Sequence, residues 1–182
     1  MTPRRDTEPR WLVDHAERIQ LALGTRRATT RLARRLGAAL AEGDLIVLSG
    51  GLGVGKTFFV RALARGQGVT GRITSPSYAL VHHLEGRAGA VPLVHADLYR
   101  LEHAGPAAIH ELGLHELRET AALLVEWGRP HHEALGGRAI ELRLAHDGEH
   151  GRTVDLMPLD DRTRFDDIAR CLRAARANPP SR

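Results

Sequence analysis

Residues 45–57, LIVLSGGLGVGKT, carry the strongest structural signal in the sequence. They begin with a continuous apolar run, which predicts a buried strand. Residues 50–57 then match the phosphate-loop pattern G-x-x-x-x-G-K-S/T in full. Glycines let the backbone turn so that successive N–H groups face phosphate oxygens. The helix predicted from Phe58 offers its positive N-terminal end to the same anion, so the stretch predicts a nucleotide-binding loop.

Two side chains of this loop have predicted roles in binding. Lys56 can reach the β- and γ-phosphates, and the Thr57 hydroxyl can ligate magnesium. Lys56 is also the one lysine among 26 basic residues. This indicates a position at which the wide, planar guanidinium group of arginine does not fit. The predicted nucleotide contacts in this segment are Gly51, Leu52, Gly53, Val54, Gly55, Lys56, Thr57 and Phe58.

The composition narrows the class of protein. The chain has 182 residues, 42% of them hydrophobic and 26% charged, with a formal net charge of +4. This length suits a single domain, and the mild basic excess permits contact with RNA or nucleotides without requiring it. A single cysteine excludes an intramolecular disulfide framework. Because no apolar run suits a membrane span or a signal peptide, we expect a cytoplasmic location without membrane contact.

Strand and helix patterns alternate along the chain, which predicts an α/β fold. Apolar alternation predicts a first strand over residues 19–23, and leucines every fourth residue predict a helix after Thr25. Residues 111–119 read as a helix, residues 140–156 as a hairpin and residues 163–177 as a last helix. Cys171, among the apolar residues of that last helix, is expected to be a small core residue.

We therefore expect a P-loop NTPase-like fold in a single domain, with a mixed central sheet flanked by helices and a C-terminal β-hairpin. Residues 1–15 are expected to form a loose tail, because they mix charges and proline without periodicity. Residues 16–160 would form the P-loop ATPase domain, and residues 161–182 a C-terminal helix and tail.

Two carboxylates are candidates for the acidic group that a P-loop enzyme needs beside magnesium or the attacking water. Glu126 ends the apolar run of residues 121–125, and Asp97 ends a similar run after Val91. The sequence leaves open which of them ligates the metal directly. His95 has two open interpretations, since it either orients Asp97 or is a buried, hydrogen-bonded histidine.

The order and spacing of four motifs resemble the TsaE family. The motifs are GGLGVGKTFF from Gly50, TSPSY from Thr74, HADLYR from His95, and the pair Glu126-Trp127. The similarity runs over residues 24–157. TsaE proteins are small bacterial P-loop ATPases required for threonylcarbamoyladenosine biosynthesis in tRNA. Because the phosphate loop alone occurs in many unrelated proteins, the combination carries the resemblance.

The resemblance implies a role for each matching residue. Lys56 would bind phosphate, Thr57 and Glu126 would hold magnesium, and Asp97 would be a carboxylate needed for hydrolysis. Ser75 and Trp127 would lie beside the nucleotide. Lys56, Asp97 and Glu126 are thus the expected catalytic residues.

The resemblance also implies the activity and the partners. The protein would be a magnesium-dependent ATPase that acts with the transferase TsaD and its partner TsaB, which place a threonylcarbamoyl group on an adenosine beside the anticodon. Hydrolysis is expected to be slow without the partners, and tRNA contact is expected within the complex. ATP rather than GTP rests on the resemblance alone. Two alternatives stay open: a small-molecule or nucleoside kinase, and a nucleotide-dependent binding module without significant hydrolysis.

Three positions depart from the family pattern. Gly51 stands where an acidic or amide residue is usual, and Phe58 where a second threonine is common. Ser77 replaces the more usual threonine and keeps its hydroxyl. The first two departures are expected to alter affinity or rate, while none removes a group on which the chemistry depends.

Overall fold

The apolar run before the glycine-rich loop forms the central strand. In this computed structural model, which describes residues 7–74, 76 and 80–177, strand β3 (Leu45–Ser49) is buried over its first four residues. It lies parallel to its two neighbours, β6 (Ala122–Glu126) and β7 (Ala139–Asp147). A strand covered on both faces needs apolar side chains at successive positions, which explains the unbroken run.

Eight strands form one mixed sheet in the order β1-β2-β8-β7-β3-β6-β5-β4. The strands β5, β6, β3 and β7 are parallel, and all other pairs are antiparallel. Strands β7 and β8 form the hairpin that the alternation predicts. The remaining strands are β1 (Arg10–His15), β2 (Arg18–Leu23), β4 (Val81–Leu84), β5 (Leu93–Asp97) and β8 (Gly151–Pro158).

Helices cover both faces of the sheet, so the predicted α/β fold with a mixed sheet is confirmed. One face packs against three helices, which share a core with the β3 side chains Ile46 and Leu48, while the other face packs Leu45 and Val47 against two short helices. The helices on the first face are α1 (Arg26–Ala39), α2 (Lys56–Gly66) and α5 (Arg162–Ala177). Those on the second are α3 (Pro106–His110) and α4 (Leu114–Arg118). No helix in the described ranges is long and apolar enough to cross a membrane.

Glycines allow α1 and α2 to pack side by side. A Cβ atom at Gly37 would lie 3.0 Å from the Leu63 carbonyl oxygen, and one at Gly66 would lie 3.0 Å from the Arg34 Cα atom. A side chain at either position would therefore push the neighbouring helix away by a few tenths of an ångström. Thr25 caps the N-terminus of α1 as predicted, since its hydroxyl accepts a hydrogen bond from the Ala28 N–H at 3.2 Å.

Three expectations from the sequence are wrong. Residues 10–15 of the expected loose tail form strand β1, in which Trp11 packs against the core; its pattern is weak because an edge strand buries few side chains. The helix expected over residues 111–119 begins only at Leu114 and ends at Arg118, because residues 111–113 form a turn in which Gly113 has φ of 63°. Cys171 is exposed rather than in the core, because the buried stripe of α5 runs through Ile168 and Leu172 instead.

Buried and partly buried charged side chains form a hydrogen-bond network at the amino end of β3. The Arg164 guanidinium of α5 donates to both carboxylate oxygens of Asp44, at 2.6 and 2.8 Å, and also to the Ala39 carbonyl. Nearby, Arg118 donates to the backbone carbonyls of Gly43, Leu135, Gly137 and Arg138. These bonds tie α5 and the ends of two helices to the turn before β3.

Candidate functional site

The glycine-rich loop connects the carboxyl end of β3 to the first turn of α2. Gly50 and Gly55 have φ of 132° and 111°, a region that residues with a side chain rarely adopt. Gly50 also lies against β7, where a Cβ atom would come within 2.3 Å of the Leu144 carbonyl oxygen. The loop therefore needs glycine at both positions to turn tightly into the helix.

Lys56 is almost fully buried, with 4% of its surface exposed. Its ammonium donates to the carbonyls of Gly50 and Gly51 at 2.8 and 3.0 Å, and lies 4.0 Å from the centre of the Trp127 ring. Burial lowers the pKa of Lys56, and the charge of Glu126 partly offsets this effect. The ammonium is thus held at the loop by neutral acceptors that a phosphate can replace.

Thr57 and His95 both contact the carboxylate of Glu126. The Thr57 hydroxyl donates to Oε1 at 2.8 Å, and the Nε2 atom of His95 lies 2.9 Å from the same oxygen. His95 is fully buried, and its Nδ1 atom has no hydrogen-bond partner among the described residues. His95 is therefore a buried, hydrogen-bonded histidine, the second of the two interpretations left open by the sequence, and its partner is Glu126.

Asp97 lies beside Glu126 at the carboxyl edge of the sheet. The two residues are direct partners on the neighbouring parallel strands β5 and β6. Both carboxylates are buried, and Asp97 Oδ1 accepts a hydrogen bond from the Tyr99 N–H at 3.1 Å. Ligands of parallel α/β sheets bind at this edge, so the structure brings both predicted carboxylates to the expected place.

Trp127 forms a wall of the site. Its φ of 62° is rare for a bulky residue, and its N–H donates to the Leu48 carbonyl at 3.1 Å. The ring packs against Tyr99, with 5.0 Å between the ring centres. Residues in strained backbone conformations cluster at functional sites, and this one places an indole ring over the Lys56 ammonium.

The other residues predicted to contact the nucleotide differ in how far they are exposed. Leu52 is 78% exposed at the tip of the loop, between the exposed Gly51 and Gly53, whereas Val54 is buried. Phe58 is half-buried, with the Arg26 guanidinium 4.9 Å from its ring centre. Ser75 and Ser77 lie outside the described residues, so the role expected for Ser75 stays a prediction.

One supporting residue is absent from the sequence-based predictions. Arg152, on β8, donates from Nε to the Val54 carbonyl at 2.8 Å and so fixes the loop from the side. The two residues are 98 positions apart. No local pattern marks Arg152, because the contact exists only once the hairpin lies beside β3.

The oxygen atoms at the loop suit magnesium. Hydroxyl and carboxylate oxygens are hard ligands, and the Thr57 and Glu126 oxygens lie 2.8 Å apart with Asp97 beside them. Among the described residues, no group of three His, Cys, Asp or Glu side chains could hold a metal ion. Magnesium bound with nucleotides typically takes few protein ligands and fills its shell with phosphate oxygens and water, so the donor set fits.

A mixed sheet whose central strand leads into a glycine-rich loop, with a lysine, a threonine and strand-end carboxylates around it, defines a P-loop NTPase-type protein. Residues 23–154 match the model of a family described as "Threonylcarbamoyl adenosine biosynthesis protein TsaE". The chain belongs to the TsaE family.

Individual relatives agree with this assignment. The TsaE protein of Mycobacterium tuberculosis is 40% identical over 121 residues, covering 64% of this chain and 72% of the relative. The TsaE protein of Bacillus subtilis is 32% identical over 135 residues, covering 73% and 82%. Among solved structures, the crystal structure of Bacillus subtilis YdiB superimposes with a TM-score of 0.67 and 25% identity, covering 85% of this chain and 95% of that one.

Proposed function

We propose that this protein binds and hydrolyses ATP at the glycine-rich loop and acts as an accessory factor in threonylcarbamoyladenosine biosynthesis, together with a TsaB–TsaD transferase complex. The observation that carries the proposal is the convergence of Lys56, Thr57, Asp97 and Glu126 at one strand edge. The choice of ATP and of the two partners rests on the family resemblance.

Binding would use the loop backbone and two side chains. The N–H groups of residues 51–57 and the N-terminal end of α2 offer donors to the phosphates. The Lys56 ammonium would exchange the carbonyls of Gly50 and Gly51 for phosphate oxygens. Thr57 and Glu126 would hold magnesium, which supplies neutralisation of charge on the β- and γ-phosphate oxygens.

Hydrolysis would be an in-line attack of water on the γ-phosphorus, which breaks its bond to the β–γ bridging oxygen and releases ADP and phosphate. Asp97 would orient or polarise the water, because its carboxylate lies at the strand edge beside Glu126. Lys56 and the loop amides would stabilise the charge on the transferred phosphoryl oxygens. His95 would keep the Glu126 carboxylate oriented through the 2.9 Å contact.

The experiment that tests this proposal is a turnover assay with the purified protein, with and without TsaB and TsaD of the same organism. Lys56→Ala serves as the blank. We expect slow ATP hydrolysis that the pair accelerates and that Lys56→Ala abolishes. Brisk hydrolysis that is indifferent to the pair would contradict the partner assignment, and no hydrolysis under either condition would contradict the activity.

One observation keeps the kinase alternative as a second candidate. A cleft of about 520 Å³ lies beside the loop, lined by Gly50, Gly51, Trp127, Arg129 and His132 among others. This volume lies within the usual range of small-molecule sites, roughly 300–1,000 Å³. The sequence gives no sign of an acceptor pocket, so the cleft is visible only in the structure. A phosphorylated product in a screen of small hydroxyl compounds would support this alternative.

A further inference from the structure

Helices α1 and α2 present an exposed surface made almost entirely of arginine. All their exposed residues except Ala38 are arginines: Arg26, Arg27, Arg31, Arg34, Arg61 and Arg65. With the less exposed Arg35 and Lys56, the two helices carry eight basic residues and no acidic residue. The rest of the chain then has 18 basic and 22 acidic residues, so the net positive charge of the protein resides in this pair of helices.

This arginine surface differs from the neighbouring helix α5. On α5, Arg162 pairs with Asp166, Arg170 pairs with Asp167, and Arg173 pairs with Asp14. On α1, Arg31 and Arg35 pair with Glu8. Five of the six exposed arginines of the surface, by contrast, have no acidic partner within the described part of the chain. Arg26 lies over the Phe58 ring and Arg65 donates to backbone carbonyls, while Arg27, Arg34 and Arg61 have neither kind of contact.

Close helix packing brings the arginines of α1 and α2 together. The Arg34 Cα lies 3.0 Å and its Cγ 3.3 Å from the position a Cβ atom would take at Gly66. The base of the Arg34 side chain therefore lies against Gly66, the last residue of α2, which directly follows Arg65 in the chain. At the other end of the surface, Arg26 lies over Phe58, beside the phosphate loop.

We propose that this arginine surface binds the phosphate backbone of RNA, and that it is the surface through which the protein contacts tRNA. The inference deepens the proposed function, since it names the region that would meet the tRNA. Unpaired arginines on two helices that carry no acidic residue match a polyanion, and each phosphate that they neutralise releases counterions. Arginine also suits phosphate because its planar fork can donate two parallel hydrogen bonds.

The lack of apolar groups favours RNA over a membrane or an acidic protein. The exposed large hydrophobic residues among those described are Leu12, Leu52 and Tyr99, and none of them lies on α1 or α2. Insertion into a lipid surface needs an apolar face, and a protein interface needs an apolar or aromatic core. Binding to a phosphate backbone needs neither.

The test measures binding of the full chain to a fluorescently labelled tRNA transcript at several salt concentrations. The variant Arg34→Gln/Arg61→Gln removes the charges of two unpaired arginines and keeps the first methylene groups of each side chain. We expect its affinity to fall about tenfold or more at about 0.1 M salt, and the slope of log affinity against log salt to become shallower by about 2. Arg34→Lys/Arg61→Lys keeps both charges, so its slope should match that of the unaltered protein.

The matched control is Arg162→Gln/Arg170→Gln, which removes the same charge from paired arginines on α5 and should leave the slope unchanged. An equal loss in this control, or no tRNA binding at about 50 mM salt, would overturn the proposal. So would equal affinity for poly-aspartate, or for vesicles containing phosphatidylserine. Lys56→Ala should bind tRNA normally and Arg34→Gln/Arg61→Gln should hydrolyse ATP normally, so failure of this inference is distinct from failure of the ATPase proposal.

Discussion

The two ends of strand β3 each hold a buried or partly buried cation, in opposite ways. At the amino end, Arg164 is bound by both oxygens of Asp44, a carboxylate with 5% of its side chain exposed. At the carboxyl end, Lys56 contacts two backbone carbonyls and an aromatic ring. The pKa values diverge accordingly, because the hydrogen bond with Asp44 raises the pKa of Arg164 and burial lowers the pKa of Lys56.

This difference separates a structural cation from one suited to a ligand. A cation bound in a bidentate pair has its charge already matched, and breaking the pair leaves a buried carboxylate unpaired. A cation held by neutral acceptors keeps most of its charge for an incoming anion. We therefore propose that the amino-end network serves stability and that the carboxyl-end lysine serves binding, and four measurements test this proposal.

The largest effect is expected from Lys56→Ala. Nucleotide affinity should fall at least about 100-fold, because charge-assisted contacts with phosphate contribute roughly 3 kcal/mol. The thermal midpoint should change little, since the lost ammonium is desolvated in the folded protein. Titration with a fluorescent ATP analogue and a melting curve measure the two quantities. A variant that binds nucleotide normally would refute the role of Lys56.

Glu126→Gln should lower turnover and spare binding. The amide keeps the size of the carboxylate and an oxygen for the Thr57 hydroxyl, but it loses the charge beside magnesium. We expect the ATP hydrolysis rate to fall about 100-fold, with nucleotide affinity within a few-fold of the original. Single-turnover assays and binding titrations separate the two effects. Asp97→Asn is the companion variant, and unchanged turnover in both would favour a binding module.

Arg164→Ala tests the amino end in the same manner. The free energy of unfolding should fall by about 2 kcal/mol, less than the roughly 3–5 kcal/mol of a fully buried pair because Arg164 is partly exposed. Urea denaturation gives the value. Arg170→Ala, which breaks an exposed pair, is the control and should cost less than about 1 kcal/mol. Nucleotide affinity should be unaffected by either change, and a large loss would link the two ends.

The smallest effect is expected from pH. Burial lowers the pKa of Lys56. As the pH is raised, nucleotide affinity should therefore begin to fall at a lower pH than the one at which an ordinary lysine loses its proton. Arg164 keeps its charge over that range, because its pKa is raised, so stability should not follow the same curve. Affinity measured at a series of alkaline pH values tests this. If nucleotide affinity declines only near the pH at which an ordinary lysine loses its proton, the lowered pKa of Lys56 is contradicted.

The sequence predicted the elements whose residues lie next to one another in the chain. The run before the loop, the helix after it and the late hairpin all follow from local periodicity, and the structure confirms each of them. Strand β4 (Val81–Leu84) and strand β1 were not predicted, because edge strands bury few side chains and their hydrogen bonds depend on a neighbour. The turn that ends at Gly113, with its positive φ, likewise delays the start of a helix that the sequence placed at residue 111.

The sequence predicted four residues of the site: Lys56, Thr57, Asp97 and Glu126. The loop motif and the carboxylates that follow apolar runs can both be recognised in the sequence itself. Their shared location depends on the order of the parallel strands, which places Asp97 directly beside Glu126. The contacts of these residues with distant parts of the chain could not be predicted from local sequence patterns. His95 binds the carboxylate on the next strand, and Arg152 reaches the loop from 98 positions away.

The sequence alone thus predicted a phosphate-binding loop, because the backbone conformation and the lysine of the loop depend on neighbouring residues. It also determined the family, through the spacing of its motifs. Which charges are matched by a partner depends on the tertiary fold. Arg164 and Lys56 are both cations near β3, and their different roles arise because folding puts a carboxylate against one and carbonyl groups against the other. The unpaired arginines on α1 and α2 have the same origin, since pairing depends on contacts between distant residues.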